Sequence, residues 1–182
     1  MMKFNPFPEL KSKRLFLRNI KESDCDTILF LRSDETINKF IQRPEHRRTR
    51  NKIDSINFIK ELNDNITNNK SIAWGITLKN DPQIIGTICL WNFSQNKKIA
   101  EVGYDLNPEF QKIGIMSAAL KMILDFGFNE LKLNKIEAYT HHENESSKKL
   151  LVNNGFRQIK NKKDVDNESN IIFELEIYSQ QH

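Results

Sequence analysis

The chain has 182 residues, 38 % hydrophobic and 29 % charged, with 28 Lys and Arg against 24 Asp and Glu for a net charge of +4. That length suits one domain with a real core, and twelve Phe with two Trp argue against a disordered chain. No apolar run approaches the roughly 18 residues of a spanning helix, and residues 1–8 lack the apolar stretch of a signal peptide; the expected setting is cytoplasmic, with no membrane partner.

In chain order, residues 13–18 form a short apolar run between basic flanks and predict a first strand. Ser23 and Asp24 are candidate N-caps for a helix carrying Ile28, Leu29 and Leu31. Residues 50–66 repeat Ile53, Ile56, Ile59, Leu62 and Ile66 near the helical period. Strands are then predicted over 71–78, 84–93 and 98–106, separated by turn-rich 79–82 and 94–96, which makes an antiparallel meander. In the third, Ala100, Val102, Tyr104 and Leu106 alternate with Glu101, Gly103 and Asp105.

Residues 115–129 read as a helix apolar around much of its circumference, hence covered on more than one side. A strand over 135–141 and a short helix over 144–154 follow, with Gly155 suited to the left-handed position past the helix end. Residues 156–160 and 170–178 close the chain as a hairpin. Strand, helix, strand in the middle predicts a parallel pair with a right-handed crossover. The expected fold class is α/β: a mixed sheet of six to seven strands, mostly antiparallel around one central parallel pair, with helices on both faces.

Cys25 and Cys89 sit in no pairing motif and read as small buried hydrophobes. His46, His141, His142 and His182 lack zinc-site spacing, so no metal is expected. The basic run from Arg43 to Lys52 is a solvated loop or a surface for an acidic partner. It lacks the interleaved aromatics of a single-strand binder, so direct contact with nucleic acid is not expected. The mild positive charge suits an anionic cofactor.

The segment Gln111-Lys112-Ile113-Gly114-Ile115-Met116 lies between a strand and a helix. Its free amides and the positive end of the helix dipole can bind an anion, a pyrophosphate especially. Each such bond is worth about 1.5–3 kcal/mol, so three or four outweigh any one side chain. It is neither a P-loop nor the three-glycine dinucleotide fingerprint, and alone it is equally an ordinary strand-to-helix turn.

Its context adds more. Residues 13–18 followed by Asp24, residues 100–108, residues 111–120, Asn144-Glu145-Ser146-Ser147 and Gly155-Phe156 stand in an order that resembles the GNAT superfamily of acetyl-CoA-dependent N-acetyltransferases. Within it the chain is similar to the RimJ/RimL-like branch, which acetylates protein N-termini. The resemblance runs over about residues 12–178. It implies one N-acetyltransferase domain over residues 1–182, acetyl-CoA as cosubstrate, no metal, and direct attack by an amine in a ternary complex.

It also implies that the strand before the loop is bulged and splayed from the next parallel strand, with the pantetheine arm in the gap. Leu106 and Asn107 would offer backbone groups to thioester and pantetheine, a backbone N–H near Leu106 serving as oxyanion donor. Gln111, Lys112, Ile113, Gly114, Ile115 and Met116 would hold the pyrophosphate. Asn144 would reach the pantetheine, or act only as an N-cap. Leu151 stands where many members carry a proton-donating tyrosine, so Ser147 is the candidate general acid, or merely a first-turn residue. Glu101 is the candidate base, or one half of a cross-strand ion pair. Tyr104 and Tyr139 suit packing better than donation. Lys112 replaces a frequent Gly, Met116 a frequent Gly or Ala, and Ala118 a frequent Glu.

The attacking amine must be neutral. An α-amino group with pKa about 7.7–8.0 is roughly 10–15 % neutral at pH 7, whereas a lysine costs about 3.4 kcal/mol more to deprotonate. A protein N-terminus therefore needs only a weak base. The preferred acceptor is a protein or peptide N-terminal α-amine of the ribosomal-protein type. Alternatives are a small amine (polyamine, amino acid or aminoglycoside) and a non-catalytic acyl-CoA-binding module. Asp34, Glu35, Glu45, Asp54, Glu61 and Asp64 fall in the helical region expected to wall the acceptor site. The resemblance makes a homodimer through the C-terminal hairpin or sheet edge an expectation, and the abundance of Asn, Ile and Lys suits a bacterial, AT-rich genome.

Overall fold

The structure is a computed structural model and describes residues 3–177. The strands are β1 (Leu10–Lys11), β2 (Leu15–Arg18), β3 (Ile72–Leu78), β4 (Ile84–Trp91), β5 (Ile99–Leu106), β6 (Lys135–His141), β7 (Arg157–Ile159) and β8 (Asn170–Glu176). They form one eight-stranded sheet in the order β1-β2-β3-β4-β5-β6-β8-β7. The helices are α1 (Cys25–Ser33), α2 (Glu35–Asn38), α3 (Lys52–Thr67), α4 (Ile115–Asp125) and α5 (Glu145–Asn153). The expected mixed sheet is present, with one strand more than the six or seven anticipated. β1 is two residues long, too short to show any alternation. Tyr178, expected at the end of β8, and His182 lie outside the described residues.

Both faces are covered. On one, Ile115, Met116, Ala119, Leu120, Ile123 and Leu124 of α4 and Leu151 of α5 pack with Trp74, Ile88, Ala100, Val102 and Leu106 of the sheet. The wide apolar stripe of α4 is buried as its composition demands, and the helix ends in a π turn over Phe126–Glu130. On the other face Cys25 and Ile28 of α1 and Ile59 of α3 pack on Ile20, Ala73 and Ile84. Ser55 of α3, fully buried, donates its hydroxyl to the Cys25 carbonyl at 2.6 Å, which fixes α3 to the start of α1.

Asp24 does not cap α1 with its side chain. Its carboxylate takes both Arg18 guanidinium nitrogens, at 2.8 and 2.9 Å, and the Lys21 amide at 2.7 Å. That fork is a stronger use of a carboxylate than a single cap bond, and it ties β2 to α1. Asn51 caps α3 through the Asp54 amide at 3.0 Å.

The sheet parts at its centre. β5 and β6 run parallel over three register pairs only, Ile99 with Lys135, Ala100 with Ile136 and Glu101 with Glu137. Beyond them β5 stays on β4 as far as Leu106 opposite Gly86, while β6 stays on β8 as far as His141 opposite Asn170. The splay implied by the resemblance is present; the bulge is not where it was expected. The β4–β5 register is unbroken, and the shift falls between Ile76 and Thr77, where β3 meets β4.

Candidate active site

The register decides which backbone groups face the opening. The Asn107 amide donates to the Ile85 carbonyl on β4 at 2.9 Å, and the Asn134 amide ahead of β6 donates to the Lys98 carbonyl at 2.8 Å. By the two-residue period, the main-chain groups of 102, 104 and 106 therefore point away from β4 and toward β6. At 104 and 106 β6 has already diverged, so these groups face the wedge. Gly86 permits this arrangement: a Cβ there would lie 2.5 Å from the Asp105 carbonyl oxygen and 3.1 Å from the Leu106 Cα. The main-chain N–H of Leu106 thus faces the wedge. Asn107 is engaged within its own turn: its side chain accepts from the Glu109 amide at 3.0 Å and its carbonyl from the Phe110 amide at 2.9 Å.

The chain then enters α4 through a loop with two left-handed residues, Lys112 at φ 63° and Gly114 at φ 80°. The turn needs a positive φ at 112, which a lysine adopts at a cost that a glycine would avoid. Gln111 braces the loop by donating its side-chain amide to the Leu106 carbonyl at 3.2 Å. The first helical amide to reach a main-chain acceptor is Ala118, on the Gly114 carbonyl at 3.0 Å. The amides of Gly114, Ile115, Met116 and Ser117 are therefore not consumed by the helix. Ile113 is 55 % exposed at the loop tip. Sequence reading did not place Arg14 here, yet its guanidinium donates to the Ile113 carbonyl at 3.1 Å across 99 positions.

On the α4–α5 side of the wedge, the Ser147 and Tyr104 hydroxyls lie 2.8 Å apart. Ser147 comes from the first turn of α5, held by Asn144, whose side chain accepts the Ser147 amide at 3.1 Å. Tyr104 comes from β5, so this hydrogen bond spans the opening. Burial pushes the Tyr104 phenol up to about 12, against the opposing effect of the Ser147 hydrogen bond. Tyr104 is thus a protonated, oriented group where the sequence suggested packing alone.

On the α1–α3 side lies Glu101, 9 % exposed, at the last pair before the strands part. It accepts a 2.6 Å bond from the Asn92 side-chain amide. It is not one half of an ion pair. Glu137 beside it takes that role, with Lys162 at 2.6 Å. Burial raises the Glu101 pKa, the Asn92 bond opposes that, and the Glu137 charge adds to it. A desolvated carboxylate beside a second one is a base of raised strength. Farther along the same face, Asp105 accepts from the Thr87 amide at 3.0 Å and hydroxyl at 2.8 Å. Both cysteines are free thiols, with Cys89 pushed up to about 12 by burial.

Residues 14–157 match the model of the acetyltransferase (GNAT) domain. The chain belongs to the GNAT family. It is 29 % identical over 152 residues to the uncharacterized N-acetyltransferase YoaA of Bacillus subtilis, covering 84 % of each chain. In fold it is similar to the ribosomal-protein-S5-alanine acetyltransferase of Vibrio fischeri, with a TM-score of 0.79 at 23 % identity over 96 % of this chain and 100 % of that one. It is equally similar to RimL, the ribosomal L7/L12 α-N-protein acetyltransferase solved with coenzyme A, with a TM-score of 0.79 at 16 % identity over 93 % and 98 %.

This GNAT chain is an acyltransferase, and GNAT enzymes take acetyl-CoA as the donor to an amine. The residues present fit that cosubstrate. A loop with free amides at a helix N-terminus suits a diphosphate, and a sheet parted by two strand edges suits an extended chain with its own amides. Among the described residues no helix is long and apolar enough to cross a membrane. His141, His142 and Glu143 bring their ligand atoms within 4.8 Å of one another at the end of β6, an adjacency that a search for spaced pairs does not see. The His142 Nδ1 already lies 3.0 Å from the Ser169 carbonyl.

Proposed function

We propose that the chain is a single catalytic domain over residues 1–182 that acetylates the N-terminal α-amine of a protein or peptide of the ribosomal-protein type. The observation that carries this reading is Glu101: buried, held by Asn92, and raised in pKa by its surroundings. Such a carboxylate is a weak base, matched to an α-amine that is already partly neutral and poorly matched to a lysine. The two ribosomal-protein acetyltransferases of like fold support the same acceptor class.

In this reading Glu101 receives the amine proton, directly or through one water, as the amine attacks the thioester carbonyl. The Leu106 N–H, directed into the wedge, holds the carbonyl oxygen while it gathers charge. Ser147 returns a proton to the departing thiolate, and Tyr104, hydrogen-bonded to it, supplies the replacement. The amides from Gly114 to Ser117 hold the pyrophosphate, Lys112 adds charge beside it, and Asn144 orients the α5 turn. No metal enters the reaction. The reading places the enzyme in the cytoplasm as a homodimer built on the β7–β8 hairpin.

The test is thiol release from acetyl-CoA across unblocked Ser-, Ala- and Met-peptides, N-blocked lysine peptides, spermidine, free amino acids and an aminoglycoside. Unblocked peptides are expected to lead. Glu101→Gln is expected to lower kcat by about 10²-fold with the affinity for acetyl-CoA kept. Preference for a small amine would overturn the acceptor, and an unchanged rate in the variant would overturn the base.

A further inference from the structure

Among the described residues, two half-buried arginines near the end of α1, Arg32 and Arg43, have no carboxylate partner. Arg32 of α1 donates Nε to the Thr49 hydroxyl at 2.7 Å and Nη2 to the Arg47 carbonyl at 2.8 Å, and its guanidinium lies 3.6 Å from the Phe58 ring centroid. Arg43, from the loop after α2, donates Nη1 to the Asn38 side chain. Among the described residues, the remaining nitrogens, Nη1 of Arg32 with Nε and Nη2 of Arg43, have no hydrogen-bond partner. Neither arginine has a carboxylate within 4.0 Å among the described residues.

Both are half-buried, and each feels the other elements of the same cleft. Burial first, then the neighbouring charge of Arg43, pushes Arg32 down to about 10. The carboxylate that both act on is Asp105, half-buried on β5 and already bonded twice to Thr87. Asp105 shares its face with Glu101 and lies about 13 Å farther along the strand. Asn38, which accepts from Arg43, also donates its side-chain amide to the Leu31 carbonyl at 3.0 Å, one residue before Arg32, so the two guanidiniums are anchored from neighbouring positions, and both feel the charge of Asp105. Against Asp105 alone the two guanidiniums leave one positive charge in excess, and three of their nitrogens have no partner among the described residues.

We propose that Arg32 and Arg43 form an anion subsite, and that the acceptor carries a carboxylate or phosphate close behind its amino group. The amine is drawn to the Glu101–Asp105 side, and the anion to the arginine fork, whose planar donors match a carboxylate or phosphate in a bidentate way. This rests on the amine-acceptor reading above and narrows it: an N-terminus followed at once by an acidic residue, or an amino acid with its own α-carboxylate.

The test uses matched pairs differing only in that charge. In peptides these are Ser-Asp and Ser-Asn N-termini with amidated C-termini; in small amines, serine and serinamide. Wild type is expected to favour the charged member about ten- to hundredfold in kcat/KM, mostly through KM. In Arg43→Gln the ratio should fall toward one, and Arg43→Lys should recover part of it. Equal rates within both pairs in wild type, or a preference that survives in Arg43→Gln, overturns the subsite. Silence of the peptides with an arginine-dependent preference for serine overturns the peptide acceptor and keeps the subsite. If nothing is turned over, calorimetry of the same peptides with CoA-loaded protein decides, and equal affinities overturn the subsite.

Discussion

The base role proposed for Glu101 comes at some expense to the fold. Its folded pKa lies above the ordinary carboxylate value of 4.5, through burial first and the Glu137 charge beside it. A folded state that holds the proton more tightly than the unfolded chain is favoured at low pH. That contribution is full below about pH 4.5 and is lost as pH rises through the folded value. Above that folded value the ionised side chain opposes folding. Glu101→Gln should match or exceed the wild-type Tm at pH 7, with the difference shrinking below pH 4.5, while kcat falls; a lower Tm at pH 7 would contradict this. Ser147→Ala and Tyr104→Phe should each slow thiol release by about 10–100-fold. The double variant should be no slower than the worse single one, because they act as one relay. Single-turnover rates of the four proteins test it. Glu101 was legible because β5 alternates and leaves it opposite the apolar face. Tyr104 was not: its hydrogen-bond partner lies 43 positions away, and only the closing of α5 over the wedge brings the two hydroxyls together.

The loop leading into α4 shows how an element inherits strain from one residue. Gly114 at φ 80° has room for a Cβ, whose nearest neighbour would be an Arg14 guanidinium nitrogen at 3.7 Å. Gly114→Ala thus meets backbone strain of about 1–2 kcal/mol rather than a clash. It should raise the Kd for acetyl-CoA while leaving the protein folded, as calorimetry and a thermal melt together would show. Lys112→Gly is the converse: relief of a left-handed lysine against the entropy of a glycine, a net change within about 1 kcal/mol. A loss of several kcal/mol would mean that the lysine side chain is part of the fold. Elements with a strong period, α3, α4 and β3 to β5, were readable from the sequence within a few residues. β1 with two residues and α2 with four carry no period and form because neighbours hold them. The use of Asp24 was equally hidden, since Arg18 competes for its carboxylate.

At the scale of the molecule, the β3–β5 meander, the parallel β5–β6 pair and the closing hairpin were legible from turn lengths and one crossover; the insertion of β8 between β6 and β7, which makes a second crossover, was not. The three-pair limit of the β5–β6 contact was not, because divergence is a matter of twist and packing on both flanks rather than of any residue type. That limit has a bearing on solubility. Where the two strands part, their facing edges carry amides and carbonyls available to any extended chain. Exposed edges of this kind recruit neighbouring molecules, and Lys, Pro or a covering loop usually guards them. Here 102–106 reads Val-Gly-Tyr-Asp-Leu, with no lysine or proline among them. On the proposed binding mode, the donor substrate is the guard as well as the reactant. Light scattering of a warmed solution should show slower association with acetyl-CoA present than without it, beyond the delay seen with free pyrophosphate, which occupies the loop and leaves the edges bare.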